Sequence, residues 1–174
     1  MAVIPSEEIC GIVTVIKNDF AETYNSRAAL KSPPHITLVP PFHYELEREE
    51  ELKSQLIEFC DNQRSFPLEL NGYQAFIPRV IYINIQQSDK LFELFNHITK
   101  HFESRLGLVS KRRKGRQFSP HMTVAFSDLT KEMFYKAWRV YKSKDLHFRF
   151  EVSNVSLLRH NGKMWETVIK ARVK

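Results

Sequence analysis

The sequence predicts an α+β fold made of two similar lobes, with mostly antiparallel sheets, helices on the outside and a central cleft. Segments with strand and helix periodicity follow one another in the approximate order β-α-β-α-β-β-α-β-α-β-β-β. Each half of the chain contains a proline, then a strand that carries a histidine, then a helix. Low-complexity segments and Gly/Ser linkers are absent from the sequence, so residues 1–174 are expected to form one domain of two interwoven lobes.

The first half of the chain is expected to contain two strands and two helices. Residues 8–16 are rich in β-branched side chains, which favours a buried strand, and residues 19–30 favour a helix. The pair Pro33-Pro34 blocks helix continuation, so residues 35–39 are predicted to form a short strand. Apolar side chains recur at helical spacing within the charged segment 45–61, which indicates an amphipathic helix.

The second half is expected to begin with a hairpin and a helix. Residues 66–76 and 80–85 alternate in polarity like strands, and the segment 77–79 between them contains the proline of a tight turn. In the helix that follows, Ser88 is placed to cap the first turn and Gly107 marks the end.

Four further strands and one helix complete the predicted order. Residues 121–126 form a short apolar strand behind a proline, and residues 131–141 form a helix. Three strands finish the chain. The last two are expected to be a hairpin around Asn161-Gly162, because this dipeptide suits the positive φ angles of a type I′ turn.

Composition and missing motifs exclude several classes of protein. No secretory signal pattern and no apolar run near 18 residues occur, so we expect a soluble cytoplasmic protein outside membranes. The two cysteines, Cys10 and Cys60, are too few for a disulfide framework or a four-thiolate metal site, and are expected to be reduced. Glycine-rich phosphate loops, GxGxxG and GxSxG are absent from the sequence, which argues against nucleotide-cofactor enzymes and serine hydrolases.

The same five-residue phrase occurs once in each half of the chain. Its copies are Pro34-His35-Ile36-Thr37-Leu38 and Pro120-His121-Met122-Thr123-Val124. Side chains at positions i and i+2 of a strand point to the same side, so each copy is expected to present one imidazole and one hydroxyl together. The apolar residues between them would point into a core. If the two strands lie side by side, two imidazoles and two hydroxyls converge.

These four groups are those that cleavage of a phosphodiester requires. A neutral imidazole removes a proton from water or from a ribose hydroxyl, and a protonated imidazole gives a proton to the departing oxygen. The hydroxyls donate hydrogen bonds to the non-bridging oxygens. Histidine suits both roles because its ordinary pKa of about 6.5 allows one copy to be charged and the other neutral. A lone histidine on a strand is more often a packed core residue, but the repetition favours function.

The two phrases and the order of strands and helices resemble the 2H phosphoesterase superfamily, in particular its 2′-5′ RNA ligase-like and cyclic phosphodiesterase branch. The resemblance covers nearly the whole chain. It implies a bilobal fold with the active cleft between the lobes, no metal or other cofactor, and no obligatory protein partner. It also implies His35 and His121 as catalytic residues and Thr37 and Thr123 as phosphate ligands, with RNA ends or cyclic nucleotides as substrates.

Two places depart from the pattern of that family. Many of its cyclic phosphodiesterases have an arginine shortly after the second phrase, where this chain has Phe126. The first phrase continues as Val39-Pro40-Pro41-Phe42, unlike the Phe-Leu-Gly of the bacterial ligase-like enzymes. The usual arginine contact to substrate is therefore either absent or supplied by another residue.

A run of basic residues precedes the second phrase and contributes much of the formal net charge of +6. The run consists of Lys111, Arg112, Arg113, Lys114 and Arg116. Such a run is often only a solvated loop. Its place just before His121 favours a loop at the cleft entrance that binds RNA phosphates.

Two aromatic and two further histidine side chains are candidates with open alternatives. Phe42 and Phe118 flank the phrases and would either stack on a base of single-stranded RNA or pack in the core. His97 and His101 share one face of a predicted helix, which is one requirement of a metal pair. No HExxH phrase surrounds them, so a solvated helix face is favoured and no metal site is predicted.

The sequence thus predicts a metal-independent phosphodiesterase that hydrolyses 2′,3′-cyclic or 2′-5′ linked phosphodiesters of RNA or nucleotides by two-histidine acid–base catalysis. Ligation is the reverse reaction at the same site, by microscopic reversibility. The alternative is a non-catalytic module that binds RNA ends through the basic loop and the cleft. The paired histidines favour the enzyme, because binding alone needs no acid–base pair.

Overall fold

The described residues form two four-stranded antiparallel sheets. The computed structural model describes residues 1–108 and 117–174. Its strands are β1 (Ala2–Val3), β2 (Ile36–Thr37), β3 (Phe66–Phe76), β4 (Val80–Ile85), β5 (His121–Ala125), β6 (His147–Val152), β7 (Asn154–His160) and β8 (Trp165–Arg172). One sheet has the order β2-β1-β7-β8 and the other has the order β5-β4-β3-β6.

The described part of the chain also contains four α-helices and two short 3-10 helices. The α-helices are α1 (Glu7–Thr23), α2 (Glu49–Asp61), α3 (Asp89–Leu106) and α4 (Lys131–Tyr141), and the 3-10 helices are Ala28–Lys31 and Leu46–Arg48. A hydroxyl oxygen of Ser6, Ser88 or Thr130 accepts a hydrogen bond from the third residue beyond it, which caps α1, α3 and α4. Within the described residues, none of the helices is long and apolar enough to span a bilayer.

The strand predicted for residues 8–16 is wrong, because these residues lie in α1. Ile9, Val13 and Phe20 recur at helical spacing and are buried, whereas the β-branched Val15 is 67% exposed. Burial of one helical face therefore outweighs the strand propensity of β-branched residues, which is a weak preference. The first strand is β1 instead. The helix predicted for residues 19–30 is also wrong in extent, since α1 ends at Thr23.

The strand predicted for residues 35–39 is shorter than expected, since β2 contains only residues 36–37. The other predicted elements are confirmed, with one correction. The helix within residues 45–61, the strands β3 and β4, the capped helix α3, the strand at 121–126, the helix α4 and the three final strands are all present. Gly107 ends α3 with a left-handed φ of 63°. The hairpin of β7 and β8 is present, but its turn is not type I′, because Gly162 has a positive φ and Asn161 does not. The Asn161 Oδ1 instead accepts hydrogen bonds from the backbone N–H groups of Lys163 and Met164.

The two sheets repeat one arrangement, which confirms the predicted duplication. In β1-α1-β2 and in β4-α3-β5, a helix joins two neighbouring antiparallel strands. In both units the second strand lies at the edge of its sheet and carries the repeated phrase. The edge strands β2 and β5 contact each other, although they belong to different sheets. The fold is therefore α+β and bilobal, and the two phrases meet where the lobes meet.

The apolar residues of both phrases are buried in one common core. The apolar members Ile36, Leu38, Met122 and Val124 are all buried, with at most 1% of each side chain exposed. They belong to one cluster of buried side chains that includes residues of both sheets. Because side chains alternate along a strand, burial of these residues turns the histidine and threonine of each phrase away from the core.

We predict opposite effects of alanine at two glycines. A Cβ at Gly11, in the middle of α1, or at Gly107 would meet no atom within 4 Å. Gly11→Ala should stabilise the protein by about 0.5–1 kcal/mol, because alanine favours the helix. Gly107→Ala should destabilise it by about 1 kcal/mol, because a Cβ is strained at positive φ. Urea unfolding measures both free energies, and a destabilising Gly11→Ala would contradict a helix at this position.

Candidate active site

The structure brings both His-x-Thr phrases to the contact between the lobes. His35 immediately precedes β2, and Thr37 lies at its end. His121 begins β5, and Thr123 follows two residues later. All four side chains are partly exposed, while the apolar residues between them are buried. The sequence-predicted groups therefore lie on the accessible side of two contacting strands.

Each imidazole makes the same hydrogen bond to the backbone two residues before it. The Nδ1 atom of His35 is 2.7 Å from the carbonyl oxygen of Pro33, and the Nδ1 atom of His121 is 2.7 Å from that of Ser119. A carbonyl oxygen only accepts hydrogen bonds, so Nδ1 carries the proton in both rings. This fixes the tautomer. The Nε2 atom is then the nitrogen of each ring that this hydrogen bond leaves without a proton.

The proline before each histidine explains why both copies have this geometry. A proline fixes its own φ near −65° and keeps the residue before it in an extended conformation. Pro34 and Pro120 therefore hold the backbone of Pro33 and Ser119 in a defined orientation relative to the histidine. The backbone carbonyl is then available to the imidazole without any other side chain. The proline therefore shapes the surroundings of the imidazole and does not only mark the start of the strand.

His35 is held in its neutral form by its surroundings. Burial lowers the pKa of His35 from the ordinary 6.5 to about 4, and the positive charges of Lys17, the Met1 amino group and His121 add to this effect. The hydrogen bond to Pro33 acts in the opposite direction but does not compensate for burial. At neutral pH the Nε2 atom of His35 therefore has a free lone pair and is able to accept a proton.

Two aromatic rings beside His121 were not predicted from the sequence. The ring centroids of Phe76 and Tyr82 are each 5.2 Å from that of His121, and the Phe76 side chain is 41% exposed. Strand register explains the place of Tyr82, because Tyr82 pairs with Thr123 and Asn84 pairs with His121. Paired residues of an antiparallel ladder present their side chains on the same face. Along β4, Tyr82 and Asn84 alternate with isoleucines. This alternation is the sequence pattern that could have predicted which side chains share a face with His121.

Phe126 follows β5 at the position where the resemblance leads us to expect an arginine, and a register shift determines its exposure. The pairing of β4 with β5 shifts by one residue between Tyr82 and Ile81. As a result, Val124 and Ala125 are both buried, and Phe126 is 38% exposed. At this position the chain therefore presents an exposed aromatic ring and no cation.

The other candidates for RNA contact fall into two groups. Phe118 stacks on Phe95 with ring centroids 3.6 Å apart, and Phe42 packs edge-on against Tyr44. Both are half-buried against the core, which favours packing over base stacking. The basic run of Lys111, Arg112, Arg113, Lys114 and Arg116 lies outside the described residues.

His97 and His101 lie on α3, away from the two phrases in the chain. With residues of α2 they line a cavity of about 400 Å³. The His101 ring packs at 5.4 Å from the ring of Phe59, and the Nδ1 atom of His97 is 3.5 Å from an oxygen of Gln63. Among residues 1–108 and 117–174, no group of three or more His, Cys, Asp or Glu side chains has the arrangement of a metal site.

An α+β fold that brings two His-x-Thr edge strands together defines a phosphoesterase of the two-histidine class. A family model described as the 2′-5′ RNA ligase superfamily matches residues 5–164. The chain therefore belongs to the 2′-5′ RNA ligase superfamily.

Relatives with similar sequences support this assignment. A protein of Geobacillus kaustophilus (strain HTA426) is 27% identical over 143 residues, which cover 81% of this chain and 78% of the relative. A protein of Geobacillus sp. (strain WCH70) is 25% identical over 160 residues, which cover 91% of this chain and 85% of the relative. Both bear the name "putative phosphoesterase".

Solved structures share the fold. TT0787 of Thermus thermophilus matches with a TM-score of 0.67 and 16% identity, covering 99% of this chain and 95% of that protein. Apo LigT of E. coli matches with a TM-score of 0.66 and 19% identity, covering 99% and 94%. The structure of LigT with 3′-AMP matches with a TM-score of 0.63.

We predict that the partly buried, neutral His35 makes the folded protein sensitive to mild acid. Between pH 6.5 and about 4 an unfolded chain binds a proton at residue 35 that the folded chain does not bind. The free energy of unfolding should therefore fall as the pH falls through this window. His35→Gln removes this contribution, so its unfolding free energy should decrease less between these pH values. Urea unfolding at several pH values measures the difference, and equal slopes for parent and variant would contradict a lowered pKa.

Proposed function

We propose that this chain is a cytoplasmic, metal-independent phosphodiesterase that acts on 2′,3′-cyclic or 2′-5′ linked phosphodiesters of RNA ends or nucleotides, with residues 1–174 as one catalytic domain. The observation that carries the proposal is the pair of imidazoles whose Nδ1 atoms bind backbone carbonyls, which leaves both Nε2 atoms for proton transfer. A packed core histidine would not need this arrangement twice at the contact of two lobes. Membership of the 2′-5′ RNA ligase superfamily and the 3′-AMP complex of LigT support a nucleotide substrate.

His35 is the base of the hydrolytic direction because its surroundings keep it neutral. Its Nε2 atom removes a proton from water, and the oxygen of this water forms a bond to phosphorus. The bond from phosphorus to the leaving ribose oxygen breaks, and the Nε2–H group of His121 donates a proton to that oxygen. When a ribose 5′-hydroxyl takes the place of water at a 2′,3′-cyclic phosphate, His35 removes its proton and its oxygen bonds to phosphorus. The bond from phosphorus to the 3′ oxygen breaks, His121 protonates that oxygen, and a 2′-5′ bond remains.

Thr37 and Thr123 stabilise the charge that develops on the phosphate. Each hydroxyl follows its histidine by two residues on the same side of a strand, so it is placed to donate a hydrogen bond to a non-bridging oxygen. These bonds strengthen as negative charge builds up in the transition state. The threonines therefore assist the reaction without taking part in proton transfer.

The surroundings of the phrases supply the rest of the substrate site. Phe76, exposed and next to His121, offers a ring on which a nucleobase stacks. The basic run at 111–116 precedes the second phrase in the sequence and binds additional phosphates of an oligomer. Both cysteines are free, in agreement with a reducing compartment.

We predict that alanine at either histidine abolishes most of the turnover. His35→Ala and His121→Ala should each lower kcat by roughly two to four orders of magnitude, the usual effect of a lost acid or base. Thr37→Ala and Thr123→Ala should lower it less, because they remove only a hydrogen bond to phosphate. The parent rate should depend on pH as a bell, and each histidine variant should lose one limb of the bell.

The assay uses purified protein in EDTA with nucleoside 2′,3′-cyclic phosphates, a 2′,5′-linked dinucleotide and ADP-ribose 1″,2″-cyclic phosphate, and identifies the products. A folded His35→Ala or His121→Ala protein with the parent rate would overturn the two-histidine mechanism. A parent protein that binds RNA ends but converts none of the three substrates would identify the non-catalytic RNA-binding module instead. Turnover that EDTA abolishes and a divalent ion restores would overturn metal independence.

We also predict that the basic run distinguishes an oligomer from a mononucleotide. Arg112→Ala combined with Arg113→Ala should weaken binding of an RNA oligomer, because only an oligomer has further phosphates to contact. Affinity for a mononucleotide should change little. Lys90→Ala combined with Lys142→Ala removes the same charge from two exposed positions elsewhere and serves as the control. Fluorescence anisotropy at two salt concentrations measures both affinities, and equal losses in the two double variants would show a general charge effect.

A further inference from the structure

Asp128 links the strand of the second phrase to the segment that precedes the first phrase. Its Oδ1 atom accepts a hydrogen bond of 2.8 Å from the hydroxyl of Ser26. Its Oδ2 atom accepts hydrogen bonds of 2.7 Å and 2.8 Å from the backbone N–H groups of Arg27 and Ala28. These residues are about 100 positions away in the sequence. A carboxylate that accepts three hydrogen bonds makes a stronger link than neutral groups would make.

The chain after β5 is bent so that Asp128 reaches this segment. Ser127 has a φ of 52°, a left-handed conformation that is uncommon for residues other than glycine. The backbone N–H of Asp128 donates a hydrogen bond of 2.7 Å to the carbonyl of Phe126, which closes a tight turn. The strand that carries His121 and Thr123 therefore continues directly into the residue that binds the other lobe.

The segment 26–32 is held at its other end by a buried lysine. The Nζ atom of Lys17, on α1, donates hydrogen bonds of 3.0 Å to the carbonyls of Ala29 and Ser32. The lysine side chain is almost completely buried. The next residue after Ser32 is Pro33, whose carbonyl binds the Nδ1 atom of His35. An unbroken series of contacts thus runs from Asp128 through the segment 26–32 to the imidazole of His35.

Backbone pairing alone does not set the distance between the two phrases. Among the described residues, β2 pairs only with β1 and β5 pairs only with β4, so no ladder joins them. The segment 26–32 includes the 3-10 helix Ala28–Lys31, which contacts β5. Asp128 therefore supplies a polar link across the lobes where the sheets supply none.

We propose that Asp128 is a positioning residue that sets the place of His35 relative to His121, which rests on the function proposed above. Proton transfer requires both Nε2 atoms within hydrogen-bond reach of one phosphate and its attacking and leaving oxygens. A displacement of about 1 Å lowers a rate by about 100-fold, so the link acts on catalysis and not only on stability.

The test compares Asp128→Asn, Ser26→Ala and a matched control, Glu132→Gln. Asparagine keeps the shape of the side chain but removes the charge that strengthens all three hydrogen bonds. Its N–H₂ group then faces either a backbone N–H donor or the Ser26 hydroxyl, which would have to turn from donor into acceptor. Ser26→Ala removes one of the three hydrogen bonds. Glu132 is an exposed carboxylate four residues further along the chain, whose ion pair with Lys136 lies within α4. None of the three substitutions adds or removes a backbone N–H group of the segment 26–32.

The first measurement is steady-state kinetics. Asp128→Asn should lower kcat by about 10- to 100-fold with KM changed by less than about twofold, because the link acts on the placement of a proton acceptor. Ser26→Ala should cause a smaller loss, and Glu132→Gln should have the parent kcat. An Asp128→Asn protein with the parent kcat and only a lowered melting temperature would show that the link is merely structural and would overturn the proposal.

The second measurement needs no substrate. The hydrogen-bonded Nδ1–H proton of His35 should give a slowly exchanging downfield NMR signal in the parent protein and in Glu132→Gln. This signal should broaden or disappear in Asp128→Asn, while that of His121 stays. An unchanged His35 signal in a folded Asp128→Asn protein overturns the proposal. If the parent protein shows no turnover but the His35 signal is still lost in Asp128→Asn, the proposed function is refuted. The positioning role of Asp128 is then still supported.

Discussion

Within residues 1–108 and 117–174, the two phrases meet at a contact between edge strands that no backbone ladder joins. Strands β2 and β5 belong to separate sheets, so their separation depends on side chains. Ile36 and Met122 are fully buried beneath them in one continuous core. Protein interiors are packed as densely as organic crystals and resist small displacements. The position of each imidazole is therefore as well defined as the packing of the core under it.

A second constraint acts within each phrase. The proline orients the carbonyl group of the residue that precedes it, and this carbonyl selects the tautomer of the histidine ring. Three consecutive positions thus place a proton on Nδ1 and leave Nε2 free when the segment before them is held in place. Because these positions are consecutive, duplication of a short segment reproduces all three.

The sequence predicts what depends on local periodicity and misses what depends on distant contacts. The elements of the second half follow from the alternation of polar and apolar residues in strands and from the capping residues of helices. The same alternation predicts which side of each phrase is accessible, and the structure confirms both. For residues 8–16 the β-branched propensity favours a strand, but the helical spacing of Ile9 and Val13 decides the structure. The place of Tyr82 beside His121 depends on strand register, and the contacts of Asp128 span about 100 positions. No local pattern contains that information.

The two phrases are nearly equal as sequence, but a proton moves in one direction at a time. Symmetry between the copies has to be broken, and solvent is what differs between them. The hydrogen bond from His35 to Pro33 is partly buried, whereas the one from His121 to Ser119 is exposed. Burial disfavours the charged form of a ring, and it lowers the pKa of His35. Two copies of one phrase can in this way have different surroundings while both keep the same residues.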